Sequence, residues 1–232
     1  GFDYDSQVIY PFGYGLSYTT FSMKYAETPV FDEDTNTFTC KVEITNTGSV
    51  AGKGLAQIYV SLPYVSGSGV EKAHVVLGGF AKTEKLAAGA SETVEITINR
   101  DDLCSFDYKT DRCYILDAGD YNFYLSENAH SWASIDTADT DLCWTYTLDS
   151  KITYGESNPR PSDKVAAVTR YDERTNYKFS DTAEEGKSLN FSREDFAGTF
   201  PTEPSAAESI ADDQTLADLA KYDARARTED LT

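Results

Sequence analysis

Four cysteines, two histidines, one methionine and two tryptophans are all that 232 residues supply of the side chains that most often build reactive or metal centres. No Cys-x-x-Cys pair occurs, and with only His74 and His130 to help, a zinc site has little support. Apolar runs are short: none approaches the roughly 20 residues that a membrane span needs. A signal-peptide pattern is likewise missing from the first residues. Positive charge is scarce, with 20 Lys and Arg against 39 Asp and Glu and a formal charge of −19. Such a field repels polynucleotides and anionic membranes, so neither is expected as a partner, whereas neutral ligands such as sugars would feel little of it.

What is present is a core. Hydrophobic residues make up 40% of the chain, with 16 Tyr and 12 Phe among the contributors. From residue 17 to about 150 these residues fall in short strands. In "TFTCKVEIT" (37–45), Phe38, Cys40, Val42 and Ile44 take one face, and Thr39, Lys41, Glu43 and Thr45 the other. "ETVEITI" (92–98) repeats this with Val94, Ile96 and Ile98. "YTTFSMKYAE" (18–27), "LAQIYVSL" (55–62), "HVVLGGFAK" (74–82), "DYNFYLS" (120–126) and "CWTYTL" (143–148) read as further strands. Glycine-bearing turns separate them, as in "NTGSVAGKG" (46–54), "LAAGASE" (86–92) and "LDAGDY" (116–121). Around seven such strands without an intervening helical period predict an all-β, antiparallel β-sandwich.

Beyond residue 150 the pattern breaks. "KITYGESNPRPSDK" (151–164) has the prolines and polar residues of a connector, and 165–200 carries scattered aromatics suited to packing on a neighbouring surface. "DDQTLADLAKYDARAR" (212–227) reads as a helix with Leu216, Leu219, Ala220 and Tyr222 or Asp223 around one side. The expected organisation is therefore a junction at 1–16, the sandwich at 17–150, a packed linker at 151–204 and a helical start of a following unit at 205–232.

Candidate chemistry is thin. Two facing carboxylates can cleave a glycosidic bond, but among so many acids no stretch marks a pair. His74 and His130 lack a Gly-x-Ser-x-Gly elbow and read as structural or surface residues. Asp32, Asp34, Asn36 and Glu43 hold positions 1, 3, 5 and 12 of a calcium loop. Thr37 stands where the sharp turn needs glycine, and Phe38–Glu43 already alternate as a strand, so no metal or other cofactor is expected. "DTADTD" (136–141) reads as a solvated acidic loop. Cys104 and Cys113 flank a possible hairpin that would bring them together. A chain of this length needs no staple, and free thiols are the expectation for them and for Cys40 and Cys143. Tyr59, Tyr124 and Tyr146 lie in strands, with Tyr59 and Tyr124 opposite the core face. They could stack on an oligo- or polysaccharide, pair across strands, or form a docking face for another domain. The Gly- and Ser-rich loop "PYVSGSGVEKAH" (63–74) allows reach, and its Tyr64, Glu71 and Lys72 are the candidate contacts to a sugar or an adjacent domain, beside the alternative of a plain mobile loop.

The order of four segments carries a resemblance. "YPFGYGLSYTTF" (10–21), "VEITNTGSVAGKGLAQIYVSLP" (42–63), "GGFAKTEKLAAGASETVEITI" (78–98) and "YILDAGDYNFYLS" (114–126) resemble the C-terminal part of family 3 glycoside hydrolases, the β-glucosidase group. The resemblance implies a fibronectin type III-like sandwich over about residues 8–148, entered from an α/β domain through the first segment. Tyr10 to Tyr14 would then pack on that preceding domain, and Leu16 to Phe21 would lead into the first strand. "LNFSREDFAGTFPTEP" (189–204) is similar to a segment of members whose catalytic barrel follows this domain, with Phe196 and Phe200 where Trp is common. What the resemblance implies for a full-length relative is retaining hydrolysis of β-linked glucosides or xylosides. The family's nucleophile comes from the barrel and its acid/base from the α/β domain. Neither segment is here, and "RED" (193–195) does not match the nucleophile motif. No catalytic residue is therefore expected in this chain, which would be a non-catalytic module whose partners are the other domains of the same enzyme. The alternative is a carbohydrate-binding module.

Overall fold

Alternation in β3 (Thr37–Asn46) and β6 (Ser91–Asn99) gives each strand one greasy face, and the two strands pair antiparallel with those faces in register. Phe38 lies opposite Ile98, Cys40 opposite Ile96 and Val42 opposite Val94, and all six are buried. In this computed structural model, which describes residues 4–68, 70–107, 110–162, 193, 211 and 213–228, these strands form the heart of a β-sandwich. β1 (Phe21–Tyr25) and β2 (Val30–Asp32) pair with the other edge of β3 to complete the first sheet.

The facing sheet runs in the order β10 (Cys143–Leu148), β9 (Gly119–Ser126), β4 (Leu55–Ser61), β5 (Val75–Lys82). Ala56, Ile58 and Val60 of β4 and Tyr121, Phe123 and Leu125 of β9 meet the first sheet in one continuous core. Removing each of the Ile, Val, Phe and Leu side chains among them from water stabilises the fold by roughly 1.5–3 kcal/mol. β5 slips register by a bulge beside Ile58 and Tyr59. Gly78 and Gly79 lie there, and a Cβ on Gly79 would stand 2.6 Å from Ile96 Cγ2, so the bare backbone lets the edge strand close over the core.

Seven strands were legible in the sequence at these positions; the other four are β2 and a small third sheet. In that sheet β8 (Cys113–Leu116) pairs with β7 (Ser105–Asp107) on one side and β11 (Ile152–Tyr154) on the other. The expected hairpin between Cys104 and Cys113 forms, but its register sets Asp107 opposite Cys113 and Ser105 opposite Ile115. Cys104 therefore lies three residues out of line with Cys113, and all four cysteines are free thiols.

The stretch at 151–164, expected as a connector, contributes β11, with Tyr154 buried. It then ties Ser162 to the sandwich: Asp101 Oδ2 accepts from Ser162 N at 2.9 Å and from its Oγ at 2.6 Å. The sandwich thus continues to residue 162, past the expected boundary at 150. The reason is that the buried Asp101 carboxylate takes its donors from two distant segments, Ser162 and Asn36, whose Nδ2 donates to Oδ1 at 2.8 Å, while the Asp101 amide itself donates to Asn99 Oδ1 at 3.0 Å.

The chain divides into two compact units. One holds the strands and Arg193; in the other, the described element is a helix at Asp213–Thr228, one residue from its expected bounds at either end. Its Leu216 and Leu219 are exposed, and Asp218 accepts from Gln214 Nε2 at 3.2 Å and pairs with Lys221 at 2.8 Å. The aromatics of 165–200 and all of the 189–204 motif except Arg193 lie outside the described residues. Among those described, no helix is long and apolar enough to cross a membrane.

Candidate functional site

β4 contains no charged residue, and it is buried on both faces. Gln57 and Tyr59 point away from the core, opposite Phe80 and Leu77 of β5 and Ser126 and Tyr124 of β9. Yet Tyr59 is only 2% exposed and Tyr124 only 6%. The cover over Tyr59 is the segment Tyr10–Tyr14. Gln57 Nε2 donates to the Gly13 carbonyl at 3.2 Å, Tyr59 Oη to the Phe12 carbonyl at 3.4 Å and Ala129 N to the same carbonyl at 2.8 Å. Tyr124 packs against Trp132, whose edge meets His74. Tyr146, half-buried, joins Phe31, Phe38 and Trp144 around the core. Of the three roles open to Tyr59 and Tyr124, the structure shows the cross-strand pair: they stand opposite each other and are covered, so neither offers a surface to a sugar or to another domain.

The covering segment keeps its own side chains outside. Its backbone bonds inward, while Tyr10 is 70% exposed, Phe12 68% and Tyr14 46%, with the Tyr10 and Tyr14 rings 5.0 Å apart. Gly13 makes this possible. Its φ of +85° is disfavoured for any residue with a Cβ, and a Cβ would meet Gln57 Oε1 at 2.3 Å and Tyr59 Oη at 2.7 Å. Gly13→Ala should lift the segment off the sheet. The expected result is chymotryptic cleavage after Tyr14 at least fivefold faster than in the unaltered chain; equal rates would refute this anchoring.

The loop at 63–74 is held from several sides. Lys72 Nζ, buried, forms an ion pair with Asp117 in the turn between β8 and β9, and donates to the Pro63 carbonyl at 3.0 Å. Val70 is buried in a small cluster with Cys113 and Ile115. Tyr64 Oη donates to Glu71 Oε1 at 3.3 Å, and the Arg193 amide donates to Glu71 Oε2 at 3.1 Å. The guanidinium of Arg193 lies 4.5 Å over the Tyr64 ring. Of the three expected contacts, Tyr64 and Glu71 come together, and Lys72 turns inward. An ammonium so placed anchors the loop and does not reach out of it.

Several other titratable groups among the described residues are engaged structurally. Asp107 accepts from Thr110 N at 2.9 Å and, like Asp111, faces Lys151. Asp32 accepts from the Asp34 and Thr35 amides in a tight turn, and Asn36 there takes φ +56°, so the calcium-like spacing is spent on a β-turn. Asp136 and Asp139 cap turns in the acidic loop in the same way. Among the described residues no group of three or more His, Cys, Asp or Glu is placed to hold a metal ion. His74 is used as a ring against Trp132 and His130 as a ring stacked on Tyr4 at 4.2 Å. Burial and the Arg193 cation hold the His74 imidazole below its ordinary value. Burial pushes the Cys40 and Cys104 thiols up to about 12 and Cys143 to about 11, which leaves them protonated and inert near neutrality. An open groove of about 370 Å³ beside β1 is polar, with Lys24 and Glu43 paired across it at 3.3 Å.

Sequence reasoning missed the cover over Tyr59 and the part played by Arg193. The first had a signal, the uncharged run "LAQIYVSL", which marks a strand buried on both faces. The second had none, because Arg193 and Glu71 are 122 residues apart.

Residues 55–129 match the fibronectin type III-like domain. The chain is 32% identical over 161 residues to "Beta-glucosidase A" of Butyrivibrio fibrisolvens, covering 63% of this chain and 18% of that protein. It is 36% identical over 148 residues to "Beta-glucosidase" of Ruminococcus albus, covering 62% and 14%. Among solved structures, a β-glucosidase from Paenibacillus barengoltzii superposes with a TM-score of 0.54 at 29% identity, over 64% of this chain and 16% of that one. The chain thus spans less than a fifth of the length of the relatives it matches.

Proposed function

Taking as premise that this chain matches the fibronectin type III-like domain within family 3 glycoside hydrolase homologues, we propose that it is a non-catalytic interdomain module of a β-glucosidase-like enzyme. That enzyme as a whole would hydrolyse β-linked glucosides or xylosides, and the module's partners would be its barrel and α/β domains. The observation that carries this reading is the segment Tyr10–Tyr14. Its backbone closes the sheet while its aromatic side chains stay outside, the arrangement of a surface prepared for a further protein layer. The engaged state of buried Asp101, Asp107 and Asp117 supports the absence of chemistry, because a glycosidase needs two carboxyl groups free to face one sugar. The exposed loop tip at 65–67 would touch a neighbouring domain, with Tyr64 and Glu71 behind it.

The purified chain should release no aryl alcohol from aryl β-glucosides or β-xylosides. Turnover that survives purification and disappears on replacing one of its own acidic residues would overturn the reading. One observation favours a second reading, carbohydrate binding, now through the paired rings of Tyr10 and Tyr14 instead of Tyr59 and Tyr124. Calorimetric titration with cellooligosaccharides separates the two: heat that Tyr14→Ala abolishes would support binding, and its absence the interdomain module.

A further inference from the structure

The loop at 63–74 and residue 193 are remote in the chain and meet through two distinct contacts, joined by a third within the loop. The Arg193 backbone amide donates to Glu71 Oε2, Tyr64 Oη donates to Glu71 Oε1, and the Arg193 guanidinium covers the Tyr64 ring. Glu71 thereby uses both carboxylate oxygens, one for each partner, and Tyr64 both its hydroxyl and its face. The guanidinium is also close enough to lower the basicity of His74, and its Nη1 is buried, so the group is set into the surface instead of lying upon it. On the other side of the loop, Lys72 and Val70 fasten it to the β8–β9 turn and to β8.

We propose that Arg193 is a latch. It fastens residue 193 onto the 63–74 loop and, through Tyr64 and Glu71, fixes where that loop lies. Two of the contacts are charge-assisted and one depends on a planar cation stacked on a ring. A lysine keeps the charge but loses the plane, so it should not replace the arginine here. Lys72 secures Pro63, the first residue of the loop, to the β8–β9 turn, whereas the Tyr64–Glu71 pair is secured by Arg193. The two fastenings should therefore separate on mutation. This inference is independent of the enzyme reading: a latch of this kind would operate in a binding module as well.

The test is amide hydrogen exchange by NMR on the full chain. In the unaltered protein the Arg193 amide should exchange at least tenfold more slowly than a free peptide, and Glu71→Ala should remove that protection. Arg193→Ala should speed exchange of the described loop amides between 64 and 71 at least fivefold, with β3 amides unchanged, and Arg193→Lys should not restore them. Tyr64→Leu, made from the loop side, should speed exchange of the Arg193 amide by a similar factor and so answers the question if Arg193→Ala folds poorly. An Arg193 amide exchanging at the free-peptide rate, or loop exchange within twofold after Arg193→Ala, overturns the latch. Full rescue by lysine overturns the stacking contact as its basis.

Discussion

Lys72→Ala should destabilise the sandwich by about 3–5 kcal/mol, the usual loss when one member of a buried ion pair is removed. The side chains of Lys72 and Asp117 are 3% and 8% exposed, so the loss leaves the Asp117 carboxylate with neither its cation nor water. The damage would spread, because Asp117 lies in the turn that enters β9, where Tyr121 Oη donates to the Asp117 carbonyl at 2.8 Å. Urea unfolding at neutral pH measures the change. The double variant Lys72→Met with Asp117→Leu should recover most of it, since two apolar groups of similar size need no partner. A loss below about 1 kcal/mol for Lys72→Ala would mean that the pair is solvated and that the loop is not anchored here.

Phe38→Ala should cost a similar amount, about 3–5 kcal/mol, for a different reason. Phe38 is fully buried, and its ring lies 4.7 Å from Phe31, 4.8 Å from Phe123 and 5.0 Å from Tyr146. It is the point where β3 of one sheet meets β9 and β10 of the other, so truncation opens a cavity that rigid sheets cannot collapse to fill. Near-UV circular dichroism should weaken as Trp144, 5.9 Å from the same ring, loses its fixed neighbour. Phe38→Leu should lose less than Phe38→Ala. Equal stability of Phe38→Ala and the unaltered chain would show that this residue does not join the sheets.

The paired strands β3 and β6 were legible because alternation is a local property: neighbouring residues alternate faces whatever the rest of the chain does. The same logic misplaced Tyr59. It identified the face opposite the core correctly, but exposure of Tyr59 depends on Gly13, 46 residues earlier. β7, β8 and β11 are three or four residues long, too short for a period to register, and what holds them is pairing with one another. Lys72 sits in a stretch of glycine and serine, where a charge reads as solvated. Only the approach of Asp117, 45 residues later, turns it inward.

The sequence by itself determined the β-sandwich, the strand faces that fill its core, the absence of a metal spacing compatible with its strands, and the resemblance that the comparisons then matched. Each of these is written in residues close together along the chain. The tertiary structure alone decided that the tyrosine face is closed, that Lys72 is an anchor, that the sandwich runs on to Ser162 and that Arg193 grips the 63–74 loop. Those outcomes rest on which distant groups can satisfy a buried hydroxyl, ammonium or carboxylate. A buried polar group must find its partner wherever the fold brings one, and linear order carries no record of that meeting.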